Sequence, residues 1–322
     1  MLARSPGQAW MIDKLEYLIA LARERHFGRA ADLCGVTQPT LSAGLKQLEA
    51  GLGTLLVQRG SRYQGLTPEG ERVLEWALRI VSDARQMRQE IGVLRKGLAG
   101  HLRLAVIPTA LAMVPELTTP YRARHPNVRF TVLSRTSLEI QRMIETLEAD
   151  AGLSYIDDEP LRRVKTVPLY EERYCLLTAA GSPLADREAV AWAELGTVPL
   201  CLLTGDMQNR RIIDRQLHEA GTQARTTLES NSMMVLIAHV RTGRWASIMP
   251  AMLAMTLDLT RAVRAIPIRD PDAVHTVGLL VPEREPLPAL TAALAELSRG
   301  LQHDLKNRYA PERPTDSATG RT

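Results

Sequence analysis

Cysteine is scarce: the 322 residues hold three, Cys34, Cys175 and Cys201. They are far apart and odd in number, which argues against a disulfide framework or a zinc site and suits a reducing cytoplasm. No apolar run approaches the roughly 18 uninterrupted residues that a membrane span needs. The first stretch, MLARSPGQAWMIDKLEYL, is broken by polar and charged residues and lacks the apolar core of a secretory signal. His26, His101, His218, His239 and His275 show neither metal-ligand spacing nor a paired nucleophile. The glycine-bearing GLGTLL lacks the third glycine of a dinucleotide fingerprint, and neither a P-loop nor a serine nucleophile elbow is present. These absences leave no constellation for an enzyme, so no catalytic residue, metal, cofactor or membrane partner is expected.

Charge is present but unevenly placed. Residues 1–103 carry 15 Lys/Arg against 10 Asp/Glu, whereas the remaining 219 carry 25 against 26. The excess of positive charge therefore lies in the N-terminal third, where it would attract a phosphate backbone or simply aid solubility. The chain is also too long for one small core, so two or three domains are expected.

The pattern changes twice along the chain. From residue 12 to residue 53 it is helical: Leu15, Leu18, Ile19 and Ala22 keep a helical period, and a short helix spans Arg29 to Cys34. Thr37 can cap a third helix with Pro39 in its first turn. Leu41, Leu45, Leu48 and Leu52 form that helix's buried stripe, with Gln38, Ser42, Lys46 and Glu49 on the other side. The stretch LVQRGSRYQGLTPEG reads as a small hairpin, or wing. Pro68 then opens a long helix to about Lys96, on which Val73, Ala77, Ile80, Ala84, Met87, Ile91 and Leu94 read as a helix-pairing seam. The alternative is an amphipathic helix packed on its own domain. Gly97 and Gly100 supply a hinge.

From His101 strand-like and helical segments alternate, which predicts an α/β region with largely parallel sheets, divided into two subdomains. Four strand-to-helix transitions end in hydroxyl or amide side chains. They lie at Pro108–Thr109, Ser134 to Thr136, Thr204 to Gln208 through Met207, and Ser230–Asn231–Ser232. Such helix starts can hold a small anion, but they can equally be caps. Thr136 with Glu139 fits a capping box, and Asp206 and Asn231 are natural caps too. Cys175 and Cys201 lie in apolar strand-like runs, where an inert buried thiol is the simpler reading than a redox switch. The last residues, APERPTDSATGRT, are polar and proline-bearing and are expected to be disordered.

Two helices around a tight turn, the second showing small polar and basic residues, have the geometry of a helix-turn-helix. A helical hairpin with a solvated face has the same spacing. The segments HFGRAADLCGVTQPTLSAGLKQLEAGLGTLLVQR and LTPEG decide between them by resemblance. The match comprises Ala30–Ala31, Val36 to Pro39, Leu41–Ser42, Leu48–Glu49, Leu52–Gly53, Leu55–Leu56, Arg59 and Leu66 to Gly70. The chain is similar over its whole length to the LysR-type transcriptional regulators.

The resemblance implies an N-terminal all-α winged helix-turn-helix, a long linker helix and a two-lobed, periplasmic-binding-protein-like α/β effector domain. The expected boundaries are an extension at 1–11, a DNA-binding domain at 12–70 and a linker and dimerisation helix at 68–97. The regulatory domain is expected at 101–308, and a tail at 309–322. Within it, lobe one covers about 101–168 plus 270–308 and lobe two about 169–269. Thr37, Gln38, Pro39, Thr40, Ser42 and Lys46 align with the family's recognition segment, and Arg59 and Arg62 with its wing. Two positions depart: Gly44 lies inside the recognition helix, and Val57 stands where the family has Phe.

A small-molecule effector is implied between the lobes, with Thr109, Ser134, Thr136, Thr204, Met207, Gln208, Ser230 and Asn231 as its candidate contacts. The polar TGDMQNRR points to a compact polar or carboxylate effector, and a resemblance to family members associated with one-carbon or organic-acid oxidation puts formate among the candidates. The expected function is a cytoplasmic, ligand-responsive activator that binds double-stranded promoter DNA as a homodimer or homotetramer. A contact with RNA polymerase is left open. The competing reading is a two-lobed receptor without transcriptional output, against which residues 30–70 speak.

Overall fold

The computed structural model describes residues 11–58, 63–256 and 262–308 and divides into two compact units at Lys96/Gly97. Residues 1–10 of the proposed extension, the tail, and the wing residues Arg59 and Arg62 lie outside the described residues, while Met11, assigned to the extension, opens the first helix.

The first unit packs α1 (Met11–Glu24), α2 (Phe27–Leu33), α3 (Gln38–Leu52) and α4 (Pro68–Lys96) around one core. Leu15, Leu18 and Leu21 of α1 meet Ala30 and Ala31 of α2 and Leu41, Leu45 and Leu48 of α3. Leu52, expected on the same stripe, is 46% exposed. It is the final residue of α3, one position before Gly53 turns the backbone to φ 68°. Gly44 is buried rather than merely tolerated. A Cβ there would lie 2.7 Å from the Tyr17 ring, so α1 and α3 approach too closely for a side chain.

The long helix has the expected bounds, but its apolar residues divide between two faces. Ala77 and Val81 are buried in the first unit's core, with Val73 and Leu74 packed against it. Trp76, Ile80, Met87 and Ile91 are exposed. The single seam read from the sequence is therefore partly an intradomain face, and Ala77 belongs to it. Gly70 fixes how α4 enters: a Cβ there would lie 2.0 Å from the Leu56 carbonyl oxygen.

The second unit is built on β1 (Gly100–Val106), β2 (Val128–Ser134), β3 (Ala151–Tyr155), β4 (Val164–Ala179), β5 (Val190–Ala191), β6 (Leu200–Leu203), β7 (Thr226–Ser230), β8 (Ser247–Pro250), β9 (Val263–Arg269) and β10 (Val274–Pro282). Its helices are α5 (Val114–Arg124), α6 (Ser137–Glu145), α7 (Gln208–Glu219), α8 (Met233–Val240), α9 (Ala251–Thr256) and α10 (Ala289–Arg308). The main sheet runs β2-β1-β3-β10-β4-β9-β5, with β8 also on β4, while β6 and β7 pair separately.

The sheet is mixed, not largely parallel. β1 pairs parallel with β2 and β3, but β10 runs antiparallel to β3 and β4, and β4 antiparallel to β8 and β9. The cause is β4 itself, 16 residues long. Val164–Arg173 pairs with β10 on the side of the first lobe, and Tyr174–Ala179 pairs with β8 and β9 in the second. β4 thus carries the chain across, and the strands that return beside it, β8, β9 and β10, run antiparallel to it.

Gly70→Ala should destabilise the first unit by at least the roughly 1–3 kcal/mol of an overpacked core, because the clash is with backbone that cannot swing away. Urea unfolding of the full chain, compared with Gly51→Ala at an open helical site, checks this; equal effects would refute it.

Candidate nucleic-acid interface and effector cleft

The exposed start of α3 is set by its cap. The Thr37 hydroxyl accepts the Thr40 amide at 3.4 Å and shares a 2.9 Å hydrogen bond with the Thr40 hydroxyl. Gln38 and Pro39 form the first turn, and both are exposed, as is Lys46; Ser42 is half-buried. Gln38, Ser42 and Lys46 recur every fourth residue and so share one face of the helix. His26 also has a structural job, since its Nδ1 accepts the Arg29 amide at 3.3 Å and caps α2.

Glu49 was read on the solvated side of α3, and the structure gives it a partner there. Its Oε1 accepts the Leu56 amide at 2.8 Å and the Val57 amide at 3.2 Å. Val57 is buried and bridges Leu66 antiparallel, while Thr67 donates to the Leu55 carbonyl at 2.6 Å. The base of the wing is therefore tied to α3 through one carboxylate.

In the second unit a cavity of about 710 Å³ opens between the β1, β2 and α6 side and the α7 and α8 side. Ser134, Arg135 and Thr136 line one wall with Pro108, Leu111 and Ala112. Asp206, Met207, Asn231, Ser232, Met233 and Met234 line the other, with Ile237 and Leu253 behind them. Of the eight expected contacts the structure brings Ser134, Thr136, Met207 and Asn231 to the cavity. Thr109 is fully buried behind it, 3.4 Å from the Tyr155 hydroxyl. Gln208 is buried with an unpartnered Nε2, the Thr204 hydroxyl is likewise buried and unpartnered, and the Ser230 hydroxyl accepts the Ser232 amide.

Capping separates these residues. Thr136 and Glu139 form the full capping box, at 3.2 and 2.9 Å, so that hydroxyl is engaged. Asp206 and Asn231 cap nothing: α7 begins after Met207 and α8 after Ser232, both without a side-chain cap bond. Their side chains face the cavity instead.

Arg135, Met233 and Met234 were missed, because a loop-borne guanidinium and a Met pair carry no spacing signal, while Ser232 was named only as part of a strand-to-helix transition. A buried polar cluster behind the cavity was also missed. Glu172 is fully buried, accepting from the Tyr155 hydroxyl at 2.6 Å and the Tyr170 hydroxyl at 3.1 Å. Burial pushes its carboxyl up to about 7, against the stabilising pull of the two hydroxyls. Its signal was a charge between Tyr170 and Tyr174 at alternate positions, all on the inward face of one strand.

Cys175 and Cys201 are buried in the second lobe, and burial lifts their thiols to about 12 and about 11. Such thiols are protonated and unreactive. Among the described residues no group of three or more potential ligands could hold a metal, and no helix is long and apolar enough to cross a membrane.

A winged helix-turn-helix joined to a two-lobed ligand-binding domain defines a ligand-responsive DNA-binding regulator. Residues 12–71 match the family model "Bacterial regulatory helix-turn-helix protein, lysR family", and residues 95–302 match "LysR substrate binding domain". The chain belongs to the LysR family of transcriptional regulators. It is 27% identical over 289 residues to the DNA-binding transcriptional dual regulator OxyR of Escherichia coli K12, covering 89% of this chain and 94% of that one. A full-length OxyR variant from Pseudomonas aeruginosa superposes with a TM-score of 0.71 at 27% identity, covering 90% and 94%. Full-length CbnR in complex with its target DNA, at 21% identity and a TM-score of 0.61, covers 90% and 99% and shares the fold.

Two outcomes check this geometry. Glu49→Ala should lower stability by roughly 1–3 kcal/mol by leaving two amides of the wing base unpaired, measured by urea unfolding; an unchanged midpoint would refute the tie. Maleimide should label the half-buried Cys34 in the native protein, and Cys175 and Cys201 only after denaturation. Native labelling of either buried thiol, read by mass spectrometry, would contradict their burial.

Proposed function

We propose that this regulator reads promoter DNA with the exposed face of α3 and responds to an amphipathic small molecule with an anionic or polar head. The observation that carries the effector class is the cavity's lining. Arg135, Ser134, Asn231 and Ser232 offer donors, beside the carboxylates of Glu139 and Asp206, and Met207, Met233, Met234, Leu111 and Leu253 offer an apolar surface. A cavity of about 710 Å³ is far larger than formate fills, and none of the relatives named above speaks for formate. A carboxylate with an apolar body matches both parts, since apolar area supplies affinity and a few polar groups fix orientation.

On the DNA side, Gln38 and Ser42 meet base edges in the major groove, and Thr37, Pro39, Thr40 and Lys46 position the helix against the backbone. Arg59 and Arg62 remain assigned to the phosphates flanking the groove. The protein acts in the cytoplasm as a homodimer or homotetramer, with half-sites about 10 base pairs or a multiple apart. Lobe rearrangement on effector binding changes how paired recognition helices lie on DNA. Several relatives carry the description "Hydrogen peroxide-inducible genes activator". The inert, buried thiols of the regulatory unit, Cys175 and Cys201, favour a bound effector over their oxidation, and activation is carried over as the sign of regulation.

A footprint on the DNA beside the protein's own gene tests both halves. It uses aliphatic and aromatic carboxylates of graded size, formate and hydrogen peroxide, with Gln38→Ala and Ser42→Ala alongside. Expected are a protected dyad, lost by at least tenfold in affinity in Gln38→Ala, and a shift with a larger carboxylate but not with formate. Protection unaffected by both substitutions would refute the α3 assignment. A response to peroxide alone would refute the effector class.

A further inference from the structure

Glu172 lies where β4 changes partners. It is opposite His275 in the β10 pairing, and two residues later Tyr174 begins the pairing with β8. A fully buried carboxyl at the crossing between two lobes is expensive unless neutral or well bonded. Its partner Tyr155, on β3, also accepts a hydrogen bond from the Asn209 side chain at 3.3 Å. Asn209 is the second residue of α7, two positions after Met207 of the cavity wall. A hydrogen-bonded path thus runs from Glu172 through Tyr155 to the start of α7. A branch reaches Thr109, next to Pro108 of the opposite wall.

The same end of α7 is held to the first lobe by ion pairs. Arg211 binds Glu159 at 2.6 Å and donates to the Ser137 hydroxyl at 3.3 Å, and Arg215 binds Asp158 at 2.6 Å. We propose that Glu172 is a proton-operated latch at the hinge, whose protonation favours the seating of α7 on β3 and so sets the shape of the effector cleft. The inference rests on the cavity's being the effector site only for that last consequence.

The proton balance is simple. As a carboxylate, Glu172 can only accept, so the Tyr155 hydroxyl donates to it. Once protonated, Glu172 can donate to Tyr155, whose own proton turns to Thr109 at 3.4 Å or Tyr174 at 3.5 Å. The neutral form tolerates dry burial, whereas the charged form favours unseating α7 and letting water in. Burial raises the carboxyl to about 7 in the seated arrangement, with Asp157 adding to the rise. Protons are therefore bound more tightly there than in a wet one. Seating is favoured at low pH and weakens as pH rises through the range between an ordinary carboxylate and about 7, then levels off.

The other groups around the site do not mimic this. Tyr155 and Tyr174 are pushed well above their usual range by burial. His275 approaches Asp158 at 3.7 Å, and burial, the largest influence, lowers its imidazole against the opposing pull of Asp158 and Asp157. Arg215 faces Asp158 from α7, and Glu171 and Arg173, which flank Glu172 on the opposite face of β4, pair with Lys306 and Asp272.

The test is hydrogen–deuterium exchange of the full chain, corrected for intrinsic rates, in the peptide spanning 208–213. Opening of this segment should rise by about tenfold between pH 5.5 and pH 7.5 in the wild type and stay flat in Glu172→Gln. A flat wild type, or a Glu172→Gln variant that keeps the slope, overturns the latch; the second outcome would point to His275. Should that variant not fold, infrared difference spectra of the wild type decide. A protonated-carboxyl band lost between pH 6 and pH 8 is expected, and its absence overturns the proposal. Neither readout uses DNA or effector, so a failed footprint and a failed latch are separate results.

Discussion

Strand β4 is the constraint on which the regulatory unit depends. It is one continuous strand shared by both lobes, and its pairing changes from β10 to β8 and β9 within two residues. Both lobes therefore inherit their register from a single backbone. The cavity lies where the two α/β layers joined by β4 leave helix starts facing each other. A sheet without such a crossing would bury those starts or separate them.

Around that strand, polar groups are satisfied in two different ways. Thr136 with Glu139 and Thr37 with Thr40 bond locally and so fix helix starts. Asp206, Asn231 and Ser232 leave those local bonds unmade, which frees them for a ligand. The cluster of Glu172, Tyr155, Tyr170 and Asn209 is satisfied across elements far apart in sequence. Groups bonded at long range respond to relative motion of the lobes, while capped helix starts do not.

The DNA-binding unit shows the opposite economy. Its core is almost wholly aliphatic, and its precision comes from close approach at Gly44 and Gly70 and from one carboxylate, Glu49. A departure that looked like a weakness in the sequence, Gly44, is what allows Tyr17 to sit against α3. The exposed face of the helix is then free of structural duty except at its capped first turn and at Glu49.

The sequence by itself determined the local elements: α3 with its Thr37 cap, α4 from Pro68 to Lys96, the capping box at Thr136 and the strand-helix alternation. These follow from period, caps and breakers within a few residues of one another. It also carried the family, through motifs spread over a contiguous stretch. Only the tertiary structure decided what needs partners distant in sequence. The antiparallel returns of β4 and β10, the exposure of Leu52, the split face of α4 and the engagement of Glu49 all depend on which surface lands against which. The same holds for the cavity, where half of the expected contacts proved to be buried or locally bonded. A side chain's type is set by the sequence, but whether it caps, packs or faces a ligand is set by the element that folds beside it.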